Sequence, residues 1–239
     1  MEIEQLAFVL HSRPYRETSV LVTFFSPDYG KFNGVVRGVR GGRKTSSQKS
    51  AILQPFQLLT IQWRERANKT SDLVSIQQFE LANLGFPLSG DASICGLYLN
   101  ELLYRLLFPQ VAAEPLFEHY QKALYQLLSA KNRNEQAWSL RQFEHQLLNE
   151  LGQALVCDVD LYQQPIDAQA DYYFYPETGA IKVEMDSLAT GIAISGQCLT
   201  VLAQQSYCEA CLPQLKQLFR TILNQYLGDK PIMTRQLFR

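Results

Sequence analysis

The chain has 239 residues, 46% of them hydrophobic and 19% charged. That describes a soluble globular protein with material for one large domain or two modest ones, not a disordered tail. The formal net charge of −1 excludes a uniformly basic or acidic protein, but residues 1–80 carry 11 Lys/Arg against 7 Asp/Glu, whereas residues 81–239 carry 11 against 16. A basic first third on an acidic remainder points to nucleic-acid contact through the N-terminal part alone.

Five scattered cysteines (Cys95, Cys157, Cys198, Cys208 and Cys211) do not form the pattern of a disulfide framework. The opening MEIEQLAFVL lacks a basic leader and a long apolar run, and no stretch approaches the ~20 apolar residues that span a bilayer. The expected compartment is the reducing cytoplasm.

Short strands dominate the first 80 residues. Ala7–Leu10 is apolar and strand-like, and the polar turn HSRPYRETS follows. Val20–Phe25 (VLVTFF) is a second strand, and Ser26–Gly30 (SPDYG) has the Pro and Gly of a tight turn. Lys31–Arg37 is a third strand. Strands ending at Trp63 and covering LVSIQQFEL bring the number to about five, separated by turn signals. A small barrel of the OB type fits this spacing, and such barrels commonly bind single strands.

The third strand runs out into the most distinctive stretch. Gly30–Ser50 holds Lys31, Arg37, Arg40, Arg43, Lys44 and Lys49 and no acid, and no Asp or Glu occurs between Asp28 and Glu65. Arginine and lysine neutralise phosphates and release counterions, while Gly38, Gly41 and Gly42 let a backbone approach closely. The plainer alternative is a solvated loop whose charges serve solubility.

Helical patterns follow Pro87. Ala92–Leu107 is apolar at nearly every helical offset, with Asn100, Glu101 and Arg105 as its few strongly polar positions. Pro109 ends it, and Pro115 suits the first turn of the next helix, which runs to Ala130. Glu135–Leu151 is amphipathic, with Gly152 as its C-terminal stop. Residues 157–196 read as an irregular insert with a hairpin around Glu177–Gly179. Helical pattern resumes over Gly196–Ser206 and Leu212–Leu227. The predicted fold is α+β: a five-stranded OB-fold barrel over residues 1–80, then a mostly helical domain over 81–239 that carries the insert.

Several pieces, in order, resemble the RecO family of bacterial recombination mediators. They are FVLHSRPYRETSVLVTFFSPDYGK (Phe8–Lys31), VVRGVRGGRK (Val35–Lys44), LQPF (Leu53–Phe56) and PLSG (Pro87–Gly90), followed by GLYLNELLYRLL (Gly96–Leu107), LRQFEHQLLNELG (Leu140–Gly152) and the closing YLGDKPIMTRQLFR. The resemblance covers nearly the whole chain and is looser between Ala154 and Gln197. It implies an N-terminal OB-fold, a helical domain and, in many members, a metal-binding insert. The implied work is binding of single- and double-stranded DNA, annealing of complementary strands, interaction with RecR, engagement of the C-terminal tail of single-stranded DNA-binding protein, and help in loading RecA. Nucleoid association would follow.

On this reading Arg37, Arg40, Arg43 and Lys44 contact phosphates, and Arg13, Arg16 and Lys31 extend the patch. Tyr15, Tyr29 and Phe32 are candidates for base stacking, or for packing. The resemblance places Arg141 beside an apolar pocket for the coat protein's tail, where a guanidinium would hold the terminal carboxylate. The plainer alternative pairs Arg141 with Glu144 or Glu135.

No metal or cofactor is expected. Zinc-binding relatives carry two cysteine pairs around the hairpin; here Cys157 stands alone, FYPETGAIKVEM has no cysteine, and Cys208–Cys211 has the right spacing but no second pair nearby. The three histidines form no metal motif, and no phosphate-cradling or nucleophile-elbow motif occurs. The chain is expected not to be an enzyme. Two other readings stand beside the mediator: a generic single-stranded RNA-binding OB-fold protein, and a metal-free enzyme sited in the tyrosine-rich insert.

Overall fold

The computed structural model describes residues 2–41, 49–64, 73–82, 85–183, 190–228 and 230–237. The chain divides into two compact units: Met1–Ser129 together with Ile232–Arg239, and Ala130–Pro231.

The first unit is built on a closed barrel of five strands: β1 (Glu2–Tyr15), β2 (Ser19–Ser26), β3 (Gly30–Val36), β4 (Leu58–Arg64) and β5 (Leu73–Leu81). Their order around the barrel is β1-β2-β3-β5-β4, with β4 returning to β1 and only the β3–β5 pair parallel. This is the expected OB-fold. Alternation sends Val20, Val22 and Phe24 of β2 and Phe32 and Val36 of β3 inward, where they meet Val9, Ile61 and Trp63. Phe32 lies 5.4 Å from Trp63 and Tyr29 lies 5.1 Å from it, so these two sequence candidates for base stacking pack in or against the core.

At 14 residues, β1 serves both halves of the barrel. It pairs with β4 through Glu2–Phe8 and with β2 through Phe8–Tyr15. The register slips between Val9 and His11, so Leu10 is the extra residue of a bulge and its carbonyl faces no β2 partner. Helix α1 (Gly90–Leu106) satisfies that carbonyl: buried Asn100 donates its Nδ2 to Leu10 O at 2.8 Å. Helix α2 (Glu114–Ser129) holds Asn100 in turn, its buried Tyr120 hydroxyl donating to Asn100 Oδ1 at 2.5 Å. Burial raises the Tyr120 phenol well above the usual tyrosine range, so it remains a donor. Around this chain of bonds, Phe8 stacks on Phe117 (5.1 Å) and Tyr120 (4.9 Å), and Phe25 on Phe117 (5.6 Å).

The other polar positions of α1 also have tasks. Glu101 accepts from Met233 N (2.8 Å), Thr234 N (2.9 Å) and Thr234 Oγ1 (2.8 Å), capping the 3-10 turn Met233–Leu237. Arg105 lies 3.7 Å from Glu101. Residues near the C-terminus thus belong to the first unit, beside the barrel.

The second unit contains α3 (Arg133–Glu150), the sheet β6 (Asp171–Tyr175), β7 (Gly179–Lys182) and β8 (Ile192–Ser195), α4 (Gly196–Ala203) and α5 (Leu212–Leu227). Asn132 caps α3, its side chain accepting from Asn134 N and Glu135 N, both at 2.9 Å. The expected hairpin is β6–β7, but the insert is more regular than its sequence: β8 pairs along the other edge of β6. Tyr172 and Phe174 are buried on one side of β6, and Tyr173 and Tyr175 flank Gly191, where an added Cβ would lie 2.9 Å from each. One bridge departs from the expectation of a chain without disulfides: Cys198 and Cys211 are bonded, with Cα atoms 5.3 Å apart. The turn between α4 and α5 brings them together, which a spacing of 13 residues does not reveal.

Asn100→Ala removes the bonds to both Leu10 and Tyr120 and should destabilise the first unit by about 2–4 kcal/mol, with Tyr120→Phe costing about 1 kcal/mol. Urea titrations of the three proteins, compared at equal slope, measure the difference.

Candidate nucleic-acid interface

Residues directly opposite one another in a ladder share a face of the sheet. His11 stands opposite Thr23 and Thr23 opposite Asn33; Arg13 stands opposite Leu21 and Leu21 opposite Val35. These rows alternate with the inward rows and so form the outer face of β1–β2–β3. Lys31, opposite Phe25, belongs to the same face. No carboxylate comes from this half of β1 or from β2 and β3. The acids of the barrel strands, Glu2, Glu4 and Glu80, sit instead where β1 starts and on β5, and Glu4 accepts from Gln62 of β4 at 2.5 Å. Pairing therefore segregates charge around the barrel.

The arginines gather at one end of this face. Leaving β3, residues 37–41 fold back on the β1–β2 turn: Val39 N and Arg40 N both donate to Thr18 O, at 3.0 and 3.1 Å, and Arg40 Nη1 donates to Arg16 O at 3.1 Å. Buried Val39 anchors the segment. Gly38 at φ +68° and Gly41 at φ +109° turn it through conformations that glycine adopts most readily. Arg13, Arg16, Arg37 and Arg40 are all exposed around this turn, and the Arg16 guanidinium lies 5.3 Å from the Tyr15 ring centre. Arg43 and Lys44 fall outside the described residues.

Lys31 is not part of this group. It lies four residues along the ladder from the Arg13 row, about 13 Å away. Its Nζ donates to Tyr104 O at 2.6 Å, and burial lowers its pKa. Lys31 thus ties the barrel to α1, with less of its charge offered to solvent than the arginines offer. His11 and Asn33 join the face through strand pairing alone, which no charge pattern in the sequence marks.

Arg141 lies in the second unit, on α3, and is only 7% exposed. Its Nη2 donates to Glu144 Oε1 at 2.7 Å, and its guanidinium lies 5.9 Å from the Phe219 ring of α5. Glu144 is 1% exposed. Arg141 Nε has no hydrogen-bond partner among the described residues. One helical turn on from Arg141, His145 Nδ1 meets Gln205 Nε2 at 2.8 Å.

In the insert, burial and then neighbouring Asp158 push the Cys157 thiol up to about 12, so it is protonated at neutral pH. Three residues on stands Asp160, whose Oδ1 accepts from Tyr162 N and Gln164 N, both at 2.9 Å, and closes the turn by itself. Among the described residues no three His, Cys, Asp or Glu converge on a metal-sized site.

Two family models match the chain in succession: the Recombination protein O N terminal domain over residues 1–84 and the Recombination protein O C terminal domain over residues 87–236. The chain belongs to the RecO family. Curated relatives named DNA repair protein RecO include those of Nitrosococcus oceani, 38% identical over 98% of this chain and 91% of the relative, and of Pseudoalteromonas atlantica, 38% identical over 100% and 95%. The relative from Pseudomonas aeruginosa is 38% identical over 98% of this chain and 94% of its own length. The boundary between the two RecO models falls just after the barrel, whereas the first compact unit continues through α1 and α2.

Burial lowers the His145 pKa below its ordinary 6.5, with a backbone hydrogen bond to Leu155 opposing in part. The unfolded chain therefore binds a proton near pH 6.5 that the folded chain binds only at lower pH. Stability is present above that range and should fall as pH drops below about 6.5, by up to ~1.4 kcal/mol per pH unit. Urea unfolding at pH 7.5 and 5.5 should show this loss, and His145→Gln should reduce it.

Proposed function

We propose that this RecO-family chain is a DNA repair and recombination mediator that holds DNA by its backbone on the outer face of β1–β2–β3. The gathering of Arg13, Arg16, Arg37 and Arg40 at one end of a strand face without carboxylates, with Glu17 of the β1–β2 turn as the one acid among them in the described residues, carries this reading. Arginines that meet phosphates release counterions and give binding of steep salt dependence and little sequence preference. Screening the repulsion between two strands while leaving their base edges open is what annealing requires, and it needs no chemical step. Arg43 and Lys44, next in the chain, would add to the same contact.

The mediator role further requires recruitment to strands coated by single-stranded DNA-binding protein, partnership with RecR and, indirectly, delivery of RecA. Arg141 would receive the coat protein's C-terminal carboxylate. Its free Nε and the neighbouring Phe219 ring support that assignment, while Glu144 already holds Nη2, so the tail would share the guanidinium with a buried carboxylate. Among the described residues no helix is long and apolar enough to cross a membrane, and the protein would work at the nucleoid in the cytoplasm.

Replacing Arg13, Arg37 and Arg40 together by alanine should weaken binding to single- and double-stranded DNA alike. The slope of log affinity against log salt should drop by roughly 2–3. Fluorescence anisotropy across a salt series measures both. A triple variant that binds with wild-type affinity and slope would remove the barrel face from the reading. For the second unit, Arg141→Gln/Glu144→Gln removes both buried charges together, so neither is left uncompensated. Annealing of bare oligonucleotides should survive it, and annealing of coated ones should fail.

A further inference from the structure

One end of the strand face holds the arginines; the other ends at two aromatic residues whose exposure the barrel and helices do not explain. Tyr104, in the last turn of α1, is 50% exposed, and Phe108 is 74% exposed. On a helix that buries most of its apolar residues Tyr104 keeps half its surface in solvent, and Phe108, just beyond the helix end, keeps most of its own.

Both rings stand on fixed backbone. Lys31 Nζ bonds the Tyr104 carbonyl, and the Tyr104 ring lies 5.6 Å from Lys31 Nζ and 6.0 Å from the His11 ring. Phe108 precedes Pro109, which bridges to Lys31, and Gln110 N donates to Lys31 O at 2.9 Å. Ala113 N donates to Pro27 O at 2.9 Å. Gly30, at φ +53°, lets the Val111 carbonyl in so closely that an added Cβ would lie 1.8 Å from its oxygen. The segment after α1 is thereby clamped to the β2–β3 turn, alongside the start of β3.

The surroundings select the occupant. Lys31 and His11 flank Tyr104, and Arg13 follows His11 two residues along β1 on the same face. The acid one turn back on α1, Glu101, is engaged by Met233, Thr234 and Arg105. Asp28, in the β2–β3 turn, accepts from Gln5 Nε2 at 2.8 Å. Exposed aromatic rings at the end of a strip whose strands carry cations and no carboxylate suit a chain that is anionic along its backbone and flat and apolar at its bases. From Lys31 to Arg37 is six residues of strand, about 20 Å, room for a few nucleotides.

We propose that Tyr104 and Phe108 form a base-stacking step on which unpaired bases of a single strand lie, while its phosphates run along β1–β2–β3 toward the arginines. This rests on the barrel face being the DNA-binding surface and adds the means by which that face distinguishes an open strand from a duplex. Paired bases are stacked within the helix and cannot lie on the rings, so the step contributes to single strands alone.

The test compares wild type, Tyr104→Ala/Phe108→Ala and Tyr104→Trp on three probes: oligo(dT), an abasic oligonucleotide of equal length, and a duplex. The double variant should lose about 10- to 100-fold in affinity for oligo(dT) while its affinity for the abasic strand and the duplex stays within twofold. Its salt slope should be unchanged. Tyr104→Trp should retain affinity for oligo(dT), and its fluorescence should be quenched by oligo(dT) and not by the abasic strand. Equal losses on all three probes, or no loss on oligo(dT), would overturn the stacking step while leaving the barrel face intact. Failure of wild type to bind any of the three would instead bring down the DNA-binding reading and this inference with it.

Discussion

The carbonyl of Leu10 is where the first unit is held together. A strand long enough to pair with both β2 and β4 must bend, and the bulge that bends it removes one carbonyl from the ladder. A buried carbonyl with no partner is costly, so the outside of the barrel must supply a donor. Asn100 supplies it from α1, and Tyr120 fixes Asn100 from α2. The two helices are thus tied through one line of polar groups to the residue from which β1 departs toward His11, Arg13 and the arginine turn. Aromatic packing of Phe8 and Phe25 on α2 adds area to this joint, but the hydrogen bonds give it a unique register.

Function follows from that bend. The half of β1 before the bulge carries Glu2 and Glu4 and pairs with β4; the half after it carries His11 and Arg13 and pairs with β2. One strand therefore contributes acid to one part of the barrel surface and base to another. The β3 exit, folded back on Thr18 through Val39 and Arg40, brings further arginines to the basic part. In the second unit, charge is handled the opposite way. Arg141 and Glu144 are buried together between α3 and α5, and Asp160 closes a turn from within the insert. The first unit offers its arginine cluster to solvent, whereas the second buries Arg141, Glu144 and Asp160 within itself.

Much of this was legible in the chain. The OB-fold followed from five short strands with Pro and Gly turns, the helices from apolar spacing and their Pro and Gly stops, and the hairpin from Glu177–Gly179. The basic run after β3 marked Arg37 and Arg40. Less legible were groups whose role depends on a partner distant in sequence. Lys31 belongs to the same basic run, yet it is spent on Tyr104, 73 residues away. Tyr29 and Phe32 look like stacking rings, but strand alternation turns Phe32 inward onto Trp63 and the β2–β3 turn lays Tyr29 against the same ring. β8 has only four residues and becomes a strand because β6 offers it an edge.

Outside the insert, the sequence by itself determined the main strands and helices, roughly where they stop, and that the first third would carry excess positive charge, because periodicity, turn chemistry and net charge are local properties of the chain. Tertiary structure decided which of those charges share a surface. Only strand pairing places Arg13 beside β2 and Glu80 beside β4, only the return of residues 37–41 brings Arg40 to Arg16, and only the docking of α1 brings Tyr104 and Phe108 to the edge of the same face. The reason is that ladder register and helix docking are set by long-range hydrogen bonds and burial, and no single stretch of the chain contains both partners.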